Sequence, residues 1–387
     1  MRSNAILSWS DRTDHICAGN NSTLEIVDVT AQAAELGAFD DHMVVLRGTS
    51  SATGLDAFIA LHDTTLGPAL GGCRVWKYAR SEDALEDVLR LSTGMSYKAA
   101  MAGLPLGGGK AVINCDPHTG KTDALLRSFG AMVDVFDGAY ITAEDVGTTV
   151  ADMEVISQAT PHALGRSGDP SPSTARGVMI GMLATLAQRL NATSFSGVTI
   201  AVQGLGKVGM SLCEQSHNAG ARLVVADLDP DLVNHAVENY GARAVSPDKI
   251  MTTFADIFAP CALGGVITEQ SVPLIKACIV AGSANNQLMT GIDGRRLHHA
   301  GILYAPDYVL NSGGLIDAYL QMPRGPDALS LSQYLVNIGE TLNQIFQVSA
   351  QDNTPTNEIA DRLAREKINN VHRDTGSSGP QFVGVKS

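Results

Sequence analysis

Two lysines flank a short glycine-rich segment, and their side chains could do chemistry together. Lys98 and Lys110 lie on either side of a turn-rich connection that ends in the triple glycine Gly107–Gly109. Glycine has no Cβ, so its backbone can approach a ligand closely or adopt a positive φ. Two ammonium groups facing one small site disfavour each other's charged form, and the one in the drier position loses its proton more readily, as a catalytic lysine requires. Each part also has a structural explanation, because the helix dipole favours a lysine in a last helical turn and a glycine run is usually a loop.

The elements that must position these lysines are a helix before Lys98 and a strand after Lys110. From Ser81 onward the apolar residues recur at mostly three- and four-residue steps, which predicts an amphipathic helix. Gly103 and Pro105 would end that helix. The short apolar run that follows Lys110 predicts a strand.

Two further segments in the first half of the chain could contribute to the same site. Gly71 and Gly72 could bring the backbone close to a substrate or form a bulge or hairpin, and the segment alone favours neither. Glu144 and Asp145 end an apolar run that predicts a strand, where α/β proteins place site residues. They could equally cap a helix over Thr149–Ile156, and the spacing alone favours the cap.

Composition and charge exclude several classes of function. A chain of 387 residues with 44% hydrophobic and 17% charged residues is typical of an α/β protein with two domains. A formal net charge of −13 argues against binding to nucleic-acid phosphates. No apolar stretch approaches the roughly 20 residues that span a membrane. The six cysteines are scattered without metal-ligand spacing, so we expect reduced thiols, a cytoplasmic protein and no metal site.

A second strong pattern begins at Val198–Gln203, which predicts a buried strand. The next six residues, Gly204–Gly209, form a GxGxxG motif that opens a predicted helix. Asp227 ends the following strand, 18 residues past the last glycine of the motif. This context predicts a dinucleotide site, with the pyrophosphate at the helix N-terminus and Asp227 on the adenosine ribose. A carboxylate there repels a 2′-phosphate, so we expect NAD rather than NADP.

Three later apolar runs predict further parallel strands, and each ends in a polar or glycine-rich turn. The turns read PCALGG, GSANNQ and PDYVLNSGG, and they should lie at the same sheet edge as the glycine motif. Ala262 lies in the first turn, Asn285 and Asn286 in the second, and Asn311 in the third. The amides could bind a nicotinamide amide or a substrate carboxylate, or the asparagines could serve turn geometry alone.

Through these motifs the chain resembles the glutamate, leucine, phenylalanine and valine dehydrogenases, most closely those of the leucine type. The resemblance runs from about Met43 to Asn370 and includes GMSYKAAMAGLPLGGGKAVI, ITAEDVGTTVADM, PSPSTARGV, VQGLGKVG and IVAGSANNQL. It implies an α/β protein with an N-terminal substrate domain and a Rossmann-type, doubly wound NAD domain. It also implies C-terminal helices that return to the first domain, and a cleft that closes for catalysis.

The expected organisation has five parts. They are a loosely ordered leader (1–24), a substrate-binding and catalytic domain (25–165), an NAD-binding domain (166–325), C-terminal helices (326–370) and a polar tail (371–387). Within the first domain, a helical period is expected over Glu25–Leu36. A helix after the domain boundary is expected to start at Ser173, with Ser173 or Thr174 as its cap.

The resemblance also implies roles for single residues. Lys98 would pair with the substrate carboxylate, Lys110 would be the catalytic lysine, and Asp145 would handle the proton. The other residues expected to bind the substrate are Leu70, Gly71, Ala143, Asn285, Leu315 and Ala318. Those expected to bind NAD are Thr174, Gly204, Leu205, Gly206, Lys207, Val208, Gly209, Asp227, Ala262, Asn285 and Asn311.

The activity implied by the resemblance is the reversible, NAD-dependent oxidative deamination of a branched-chain L-amino acid to its 2-oxo acid and ammonium. Leucine is favoured, with valine and isoleucine also accepted. Leu70 and Ala143 agree with the leucine type, whereas Leu315 and Ala318 depart from it, so a changed pocket shape is expected. The alternatives are a phenylalanine, valine or tryptophan dehydrogenase, or an inactive NAD-binding sensor. The family implies a homo-oligomer, an octamer or a smaller even-numbered assembly, with neither nucleic acid nor membrane as a partner.

Overall fold

A computed structural model describes residues 24–165, 169–322 and 330–375 of the chain. These residues form two compact units. The first comprises 24–100, 105–165 and 368–375, and the second comprises 101–104, 169–322 and 330–367. The predicted leader, except for Leu24, and the tail after residue 375 lie outside the described residues. Within the described ranges, no helix is long and apolar enough to cross a membrane.

The first unit is built on a mixed six-stranded sheet. Its strands are β1 (Glu25–Asp28), β2 (Val44–Ser50), β3 (Leu55–Asp63), β4 (Ala69–Trp76), β5 (Gly107–Asn114) and β6 (Tyr140–Glu144). They lie in the order β1-β2-β3-β5-β4-β6. The pairs β1–β2, β2–β3 and β3–β5 are antiparallel, whereas β4 runs parallel to both β5 and β6. The carboxyl ends of β4, β5 and β6 therefore meet at one edge of the sheet.

Helices cover both faces of this sheet. They are α1 (Thr30–Ala33), α2 (Ser81–Met101), α3 (Asp123–Asp134) and α4 (Val150–Ser157). The apolar side of α2, with Leu85 and Leu89, packs on Phe58 and Val112 of one face. Residues of α3 and α4 join the core on the other face. Because both faces are buried, the central strands are apolar almost throughout.

The prediction of a helix over Glu25–Leu36 was wrong. The chain forms strand β1 at Glu25–Asp28, which pairs antiparallel with β2, and only Thr30–Ala33 is helical. The backbone groups of β1 are satisfied by a neighbouring strand that follows after Val44, so a pairing distant in sequence outweighs a weak helical period.

The second unit contains a sheet in which all six strands are parallel. The strands are β7 (Thr199–Gln203), β8 (Arg222–Ala226), β9 (Arg243–Ala244), β10 (Ile257–Pro260), β11 (Ile279–Val280) and β12 (Leu303–Tyr304). Their order is β12-β11-β10-β7-β8-β9. The strand order reverses between β7 and β10, which is the Rossmann arrangement, and the prediction of a doubly wound fold is confirmed. Ligands of such sheets bind beyond the carboxyl ends of the two strands at the reversal.

The helices of the second unit are α5 (Ser171–Leu190), α6 (Lys207–Asn218), α7 (Pro230–Tyr240), α8 (Gly291–His299), α9 (Asp307–Leu310), α10 (Gly313–Leu320), α11 (Leu331–Asp352) and α12 (Thr356–Thr375). Helix α5 begins two residues earlier than predicted, with Pro170 rather than Ser173 or Thr174 at its N-cap. Helix α12 begins in the second unit, and its last residues, from Ile368, belong to the first. It extends to Thr375, so the polar tail predicted from residue 371 begins too early. Residues 371–375 contain neither Gly nor Pro, so nothing in them stops a helix before Gly376.

Candidate active site

The first unit places Lys110 and Asp145 in direct contact. The Lys110 Nζ atom lies 2.7 Å from Asp145 Oδ2, and Lys110 is 6% exposed. Lys110 lies in the middle of β5, whereas Asp145 follows the last residue of β6. The two strands are separated in the sheet only by β4, so a lysine and an acid that are 35 positions apart in the chain meet across that strand.

The turn that carries Asp145 is held by several hydrogen bonds. The Asp145 N–H donates to Thr148 Oγ1 at 2.8 Å, and that hydroxyl donates to the Cys73 carbonyl at 3.1 Å. Helix α4 is capped by Thr149 and Asp152, which form a reciprocal capping box. The interpretation of Glu144 and Asp145 as the helix cap was therefore wrong, because Thr149 satisfies the helix terminus and leaves Asp145 to pair with Lys110.

Two cations act on the Asp145 carboxylate. Burial alone would raise the pKa of Asp145, but the charges of Lys110 and Arg74 and the hydrogen bond from Lys110 outweigh burial, so the pKa lies below its ordinary value. The Arg74 Nε atom lies 3.5 Å from Asp145 Oδ2. At neutral pH the site therefore holds a carboxylate, which can accept a proton from a bound group.

Other residues predicted for the site share the sheet face of Lys110. Leu70 pairs with Gly108, and its partner on β6 is Ile141, two residues before Ala143. Because side chains alternate along a strand, Leu70, Ala143 and Lys110 lie on the same face. Helix α2 covers this face, and Lys98 lies in its last turn, half-buried. These predicted residues, which come from three strands and a helix, are thus gathered on one side of the sheet.

Packing within the first unit explains the glycines of this region, and their approach to a substrate stays a prediction. None of Gly107–Gly109 has a positive φ. A Cβ on Gly108 would fall on the backbone of Ser96 in α2, and a Cβ on Gly71 would fall on the Gly109 carbonyl. Pairing of β4 with β5 is interrupted at Gly71 and Gly72 and resumes at Cys73 in the same register. The glycines permit a close approach of helix α2 and strand β4 to β5, and this packing positions Lys110 within the site.

In the second unit, glycine occupies each of the three glycine positions of the GxGxxG motif for a different physical reason. Gly204 has a φ of +97°, and its Cβ position is filled by Ala262, which lies in the turn after β10. A Cβ on Gly209 would fall on the Gly204 carbonyl oxygen, so this glycine allows helix α6 to pack closely against the end of β7. Gly206 caps α6 without a side-chain hydrogen bond, and among the described residues no atom beyond its two chain neighbours lies within 4 Å of its Cβ position. Space beside the N-terminus of this helix is therefore open to an anionic group.

Asp227 lies at the carboxyl end of β8, adjacent to this turn. Its Oδ2 accepts a hydrogen bond from the Leu205 N–H at 2.5 Å, and its Oδ1 accepts one from the Asp229 N–H at 2.9 Å. The carboxylate thus fixes the turn that starts α6 and remains half-exposed. Lys207 and Val208 follow in the first turn of α6.

Asn285 and Asn311, predicted from separate turns, are joined by a hydrogen bond. Asn311 Nδ2 donates to Asn285 Oδ1 at 2.7 Å and to the Ser283 carbonyl at 3.1 Å. Asn311 is buried, and its Oδ1 has no hydrogen-bond partner among the described residues. By contrast, Asn286 has a φ of +51°, which fits the alternative of an asparagine chosen for turn geometry.

The remaining predicted residues of this unit lie around helix α10. A Cβ on Gly314 would lie 2.8 Å from Thr174 Oγ1, so the start of α10 packs against the first turn of α5. Leu315 and Ala318 are three residues apart and half-buried, so they share a face of α10. That face is distinct from the buried side formed by Ile316 and Tyr319.

Sequence reasoning missed two residues that support the site. Arg74, two residues after Gly72, was not singled out, and the structure places it half-buried with its Nε 3.5 Å from Asp145 Oδ2. Gln287 is fully buried and holds the turn that carries Asn285, through bonds from its Nε2 to the carbonyls of Gly282 and Ala284. The partners of Gln287 could not be found from spacing alone.

Comparison with known proteins agrees with this geometry. Residues 41–162 match the family model described as the Glu/Leu/Phe/Val dehydrogenase dimerisation domain, and residues 231–376 match that of the Glutamate/Leucine/Phenylalanine/Valine dehydrogenases. The chain is 47% identical to leucine dehydrogenase of Geobacillus stearothermophilus, over 86% of this chain and 92% of that protein. It is 44% identical to L-tryptophan dehydrogenase of Nostoc punctiforme, over 86% and 95%. The crystal structure of L-tryptophan dehydrogenase from Nostoc punctiforme has a TM-score of 0.77 at 41% identity, covering 89% of this chain and 100% of that one. The chain belongs to the Glu/Leu/Phe/Val dehydrogenase family.

Proposed function

We propose that this chain catalyses the reversible, NAD-dependent oxidative deamination of a branched-chain L-amino acid, with leucine as the favoured substrate. The observation that carries the proposal is the buried contact of Lys110 with Asp145. Relatives named leucine dehydrogenase, at 45–47% identity over most of the chain, support the choice of substrate. In the proposed reaction the amino acid, water and NAD⁺ give the 2-oxo acid, ammonium, NADH and a proton.

The cofactor fits the residues at the carboxyl edge of the second sheet. The open space at Gly206, at the N-terminus of α6, suits the pyrophosphate, and Asp227 suits the ribose hydroxyls. The partnerless Asn311 Oδ1 can accept an N–H from the nicotinamide carboxamide, with Asn285 beside it. When bound, NAD⁺ accepts the hydride from the α-carbon of the substrate.

The substrate is held by one cation and a set of apolar side chains. We assign the carboxylate of the amino acid to Lys98, which fixes the α-carbon in position for hydride transfer. Leu70 and Ala143, which share the sheet face of Lys110, are assigned to its side chain. Neither position contains a polar group, which agrees with an aliphatic substrate.

Proton transfers are assigned to the Lys110–Asp145 pair. Asp145, as a carboxylate, takes a proton from the substrate ammonium, so that a neutral amine can release hydride. Lys110 then activates the water that attacks the resulting imine, and ammonium leaves as the 2-oxo acid forms. Because the site is largely buried, little solvent competes with the interaction of Asp145 with the substrate ammonium or with that of Lys110 with the attacking water, and both are strengthened.

A substrate panel that follows NADH absorbance tests this proposal. The expected result is amino-acid-dependent NADH formation, with the highest kcat/KM for leucine, followed by valine and isoleucine. A preference for phenylalanine or tryptophan would instead indicate an aromatic amino-acid dehydrogenase. The 44% identity to L-tryptophan dehydrogenase is the reason to include these substrates. No NADH with any amino acid would leave a protein that binds NAD without catalysis.

We also propose a homo-oligomer with an even number of subunits in a reducing compartment such as the cytoplasm. The name of the model that matches residues 41–162, a dimerisation domain, supports association. The five cysteines within the described residues are free thiols, which agrees with a reducing environment. Light scattering on the purified protein measures the subunit number, and a monomer would contradict the assembly.

A further inference from the structure

The Lys110–Asp145 pair is one end of a longer chain of charges, that is, a series of ion pairs that continues through a nearby arginine to a second carboxylate. Arg74, on β4, places its Nε 3.5 Å from Asp145 Oδ2 and its Nη1 2.8 Å from Asp87 Oδ2. Asp87 belongs to α2, so the guanidinium spans two carboxylates from separate parts of the first unit. A planar guanidinium with several fixed donors can bridge two carboxylates, whereas a lysine ammonium cannot hold that geometry.

The far end of this chain of charges is held rigidly. The side chain of Asp87 is 13% exposed. Besides Arg74, it accepts hydrogen bonds from Tyr78 OH at 2.6 Å and Arg90 Nη2 at 2.7 Å. Burial and Asp87 raise the pKa of Tyr78, so the phenol stays a neutral donor. Asp87 therefore has a fixed position from which it orients Arg74.

We propose that Arg74 is a positioning residue for the deamination, and that its guanidinium, anchored by Asp87, holds the Asp145 carboxylate in place against Lys110. This inference rests on the proposed function of the pair. If Arg74 served only to join β4 to α2, its ion pair with Asp87 would be sufficient. The approach of its Nε to Asp145 is the contact that such a role does not explain.

The charges around Asp145 make this role measurable. Among the described residues, the titratable groups that act with Asp145 come from three strands and are Lys110, Arg74, Cys73 and Tyr140. Burial raises the pKa of the Cys73 thiol and of Tyr140, so both are neutral, and Asp152, which acts on Cys73, pairs with Lys121 at 2.6 Å. The pKa of Asp145 is therefore set by burial, which raises it, and by Lys110 and Arg74, which lower it.

Removal of the Arg74 charge should shift the pH profile of the reaction. Asp145 must be ionised to accept the substrate proton, so its protonation defines an acidic limb in kcat. Without Arg74, burial is opposed only by Lys110 and the Val146 backbone hydrogen bond, so the pKa of Asp145 rises and the limb moves to higher pH. The KM for leucine should change less than kcat, because Arg74 is not assigned to the substrate.

The experiment measures kcat and KM for leucine against pH in the wild type, Arg74→Met, Arg74→Lys and Arg80→Gln, with thermal melts of each. Arg80 pairs with Asp83 on the surface, where its side chain is 70% exposed, so Arg80→Gln is the matched control and should keep the wild-type profile. In Arg74→Met the acidic limb should move upward. Arg74→Lys keeps the positive charge but loses the planar guanidinium that bridges two carboxylates. The acidic limb of its pH profile should therefore move less, while its kcat still falls.

The outcomes separate this inference from the proposed function. A folded Arg74→Met enzyme whose acidic limb coincides with that of the wild type would overturn the role of Arg74. If Arg74→Met does not fold, Arg74→Lys decides, because a wild-type kcat and profile in that variant would overturn it equally. A wild type that oxidises no amino acid would instead remove the proposed function, and the role of Arg74 with it.

Discussion

Lys110 illustrates how one residue can be read from the sequence while its partner cannot. The glycine run before it marked the residue as unusual, but its nearest carboxylate comes from a strand that is not its neighbour in the sheet. A buried ion pair is poor evidence for stability, because desolvation of the two charges offsets much of their attraction. The presence of this largely buried pair in the first unit is better explained by the proton transfers assigned to it.

Removal of the Lys110 side chain should abolish most of the turnover. Lys110→Ala is expected to lower kcat at least ~10²-fold, because it removes a general acid–base group. The measurement is steady-state NADH formation with leucine, accompanied by a thermal melt to verify folding. Lys77→Ala removes an exposed lysine just after β4 and should keep the wild-type kcat. Wild-type turnover in Lys110→Ala would show that the role assigned to Lys110 is wrong.

Asp227 should govern the choice between NAD and NADP. Asp227→Asn keeps an oxygen that can accept from the Leu205 N–H but removes the charge that repels a 2′-phosphate. We expect the ratio of kcat/KM for NAD to that for NADP to fall by about tenfold, a change of ~1.4 kcal/mol. Kinetics with both cofactors measure the ratio. An unchanged ratio would show that the carboxylate does not face the ribose.

At the scale of elements, the glycines of the second unit show three causes within one motif. Gly204 needs a left-handed φ, Gly209 needs a close contact of helix with strand, and Gly206 faces open space. Only the last is a sign of a ligand, since the first two are explained by the fold itself. All three positions are simply glycine in the sequence. The separate reason for each glycine becomes visible only when its neighbours in the folded structure are known.

This difference predicts opposite effects of alanine at two positions of the motif. Gly206→Ala should leave the melting temperature close to the wild type, because its φ of −59° suits alanine and its Cβ would meet none of the residues that the structure describes beyond its chain neighbours. It should weaken NADH binding by about tenfold, since the methyl group occupies the space proposed for the pyrophosphate. Gly209→Ala should instead destabilise the protein by ~1–3 kcal/mol through its clash with Gly204. Fluorescence titration and thermal melts measure both, and unchanged NADH affinity in Gly206→Ala would contradict the assignment.

Elements with strong patterns were the ones that the sequence predicted well. Helix α2 follows from its apolar spacing, and the strand, turn and helix around GxGxxG follow from their order. Strand β1 was missed because four residues contain too little pattern to oppose a helical period. Its conformation is imposed by pairing with β2, an interaction that local propensity does not describe.

At the scale of the whole molecule, a buried histidine network should make stability depend on pH. His42 is 4% exposed, and its Nδ1 accepts from the Asp40 N–H at 3.1 Å while its Nε2 lies 3.1 Å from the Leu89 carbonyl oxygen. Burial and the neighbouring His62 lower the pKa of His42 to about 4, although Asp40 and Asp41 oppose the shift. Burial lowers the pKa of His62 as well. Both rings are therefore neutral in the folded protein at neutral pH.

The free energy of unfolding should fall as the pH is lowered from 6.5 to about 4. In that range the unfolded chain binds a proton at His42 and the folded chain does not, so acid favours unfolding. The loss from His42 is at most roughly 3 kcal/mol, and it levels off below the folded pKa. Melting temperatures across this range in the wild type and His42→Asn measure the effect, with the exposed His118→Asn as a surface control. A His42→Asn protein that loses as much stability as the wild type would contradict it.

The sequence by itself determined the class of most elements and the Rossmann motif with its acid at the end of β8, whereas only the resemblance to the family implied that Lys110 and Asp145 share a site. The elements and the motif depend on residues that are near neighbours in the chain, or on a strand ending where a polar residue begins. Only the tertiary structure decided that Asp145 pairs with Lys110 instead of capping α4, that Arg74 reaches the same carboxylate, and that Gly108 serves packing against α2. The reason is physical: strand order sets which distant residues become neighbours, and strand order depends on packing and pairing across the whole sheet.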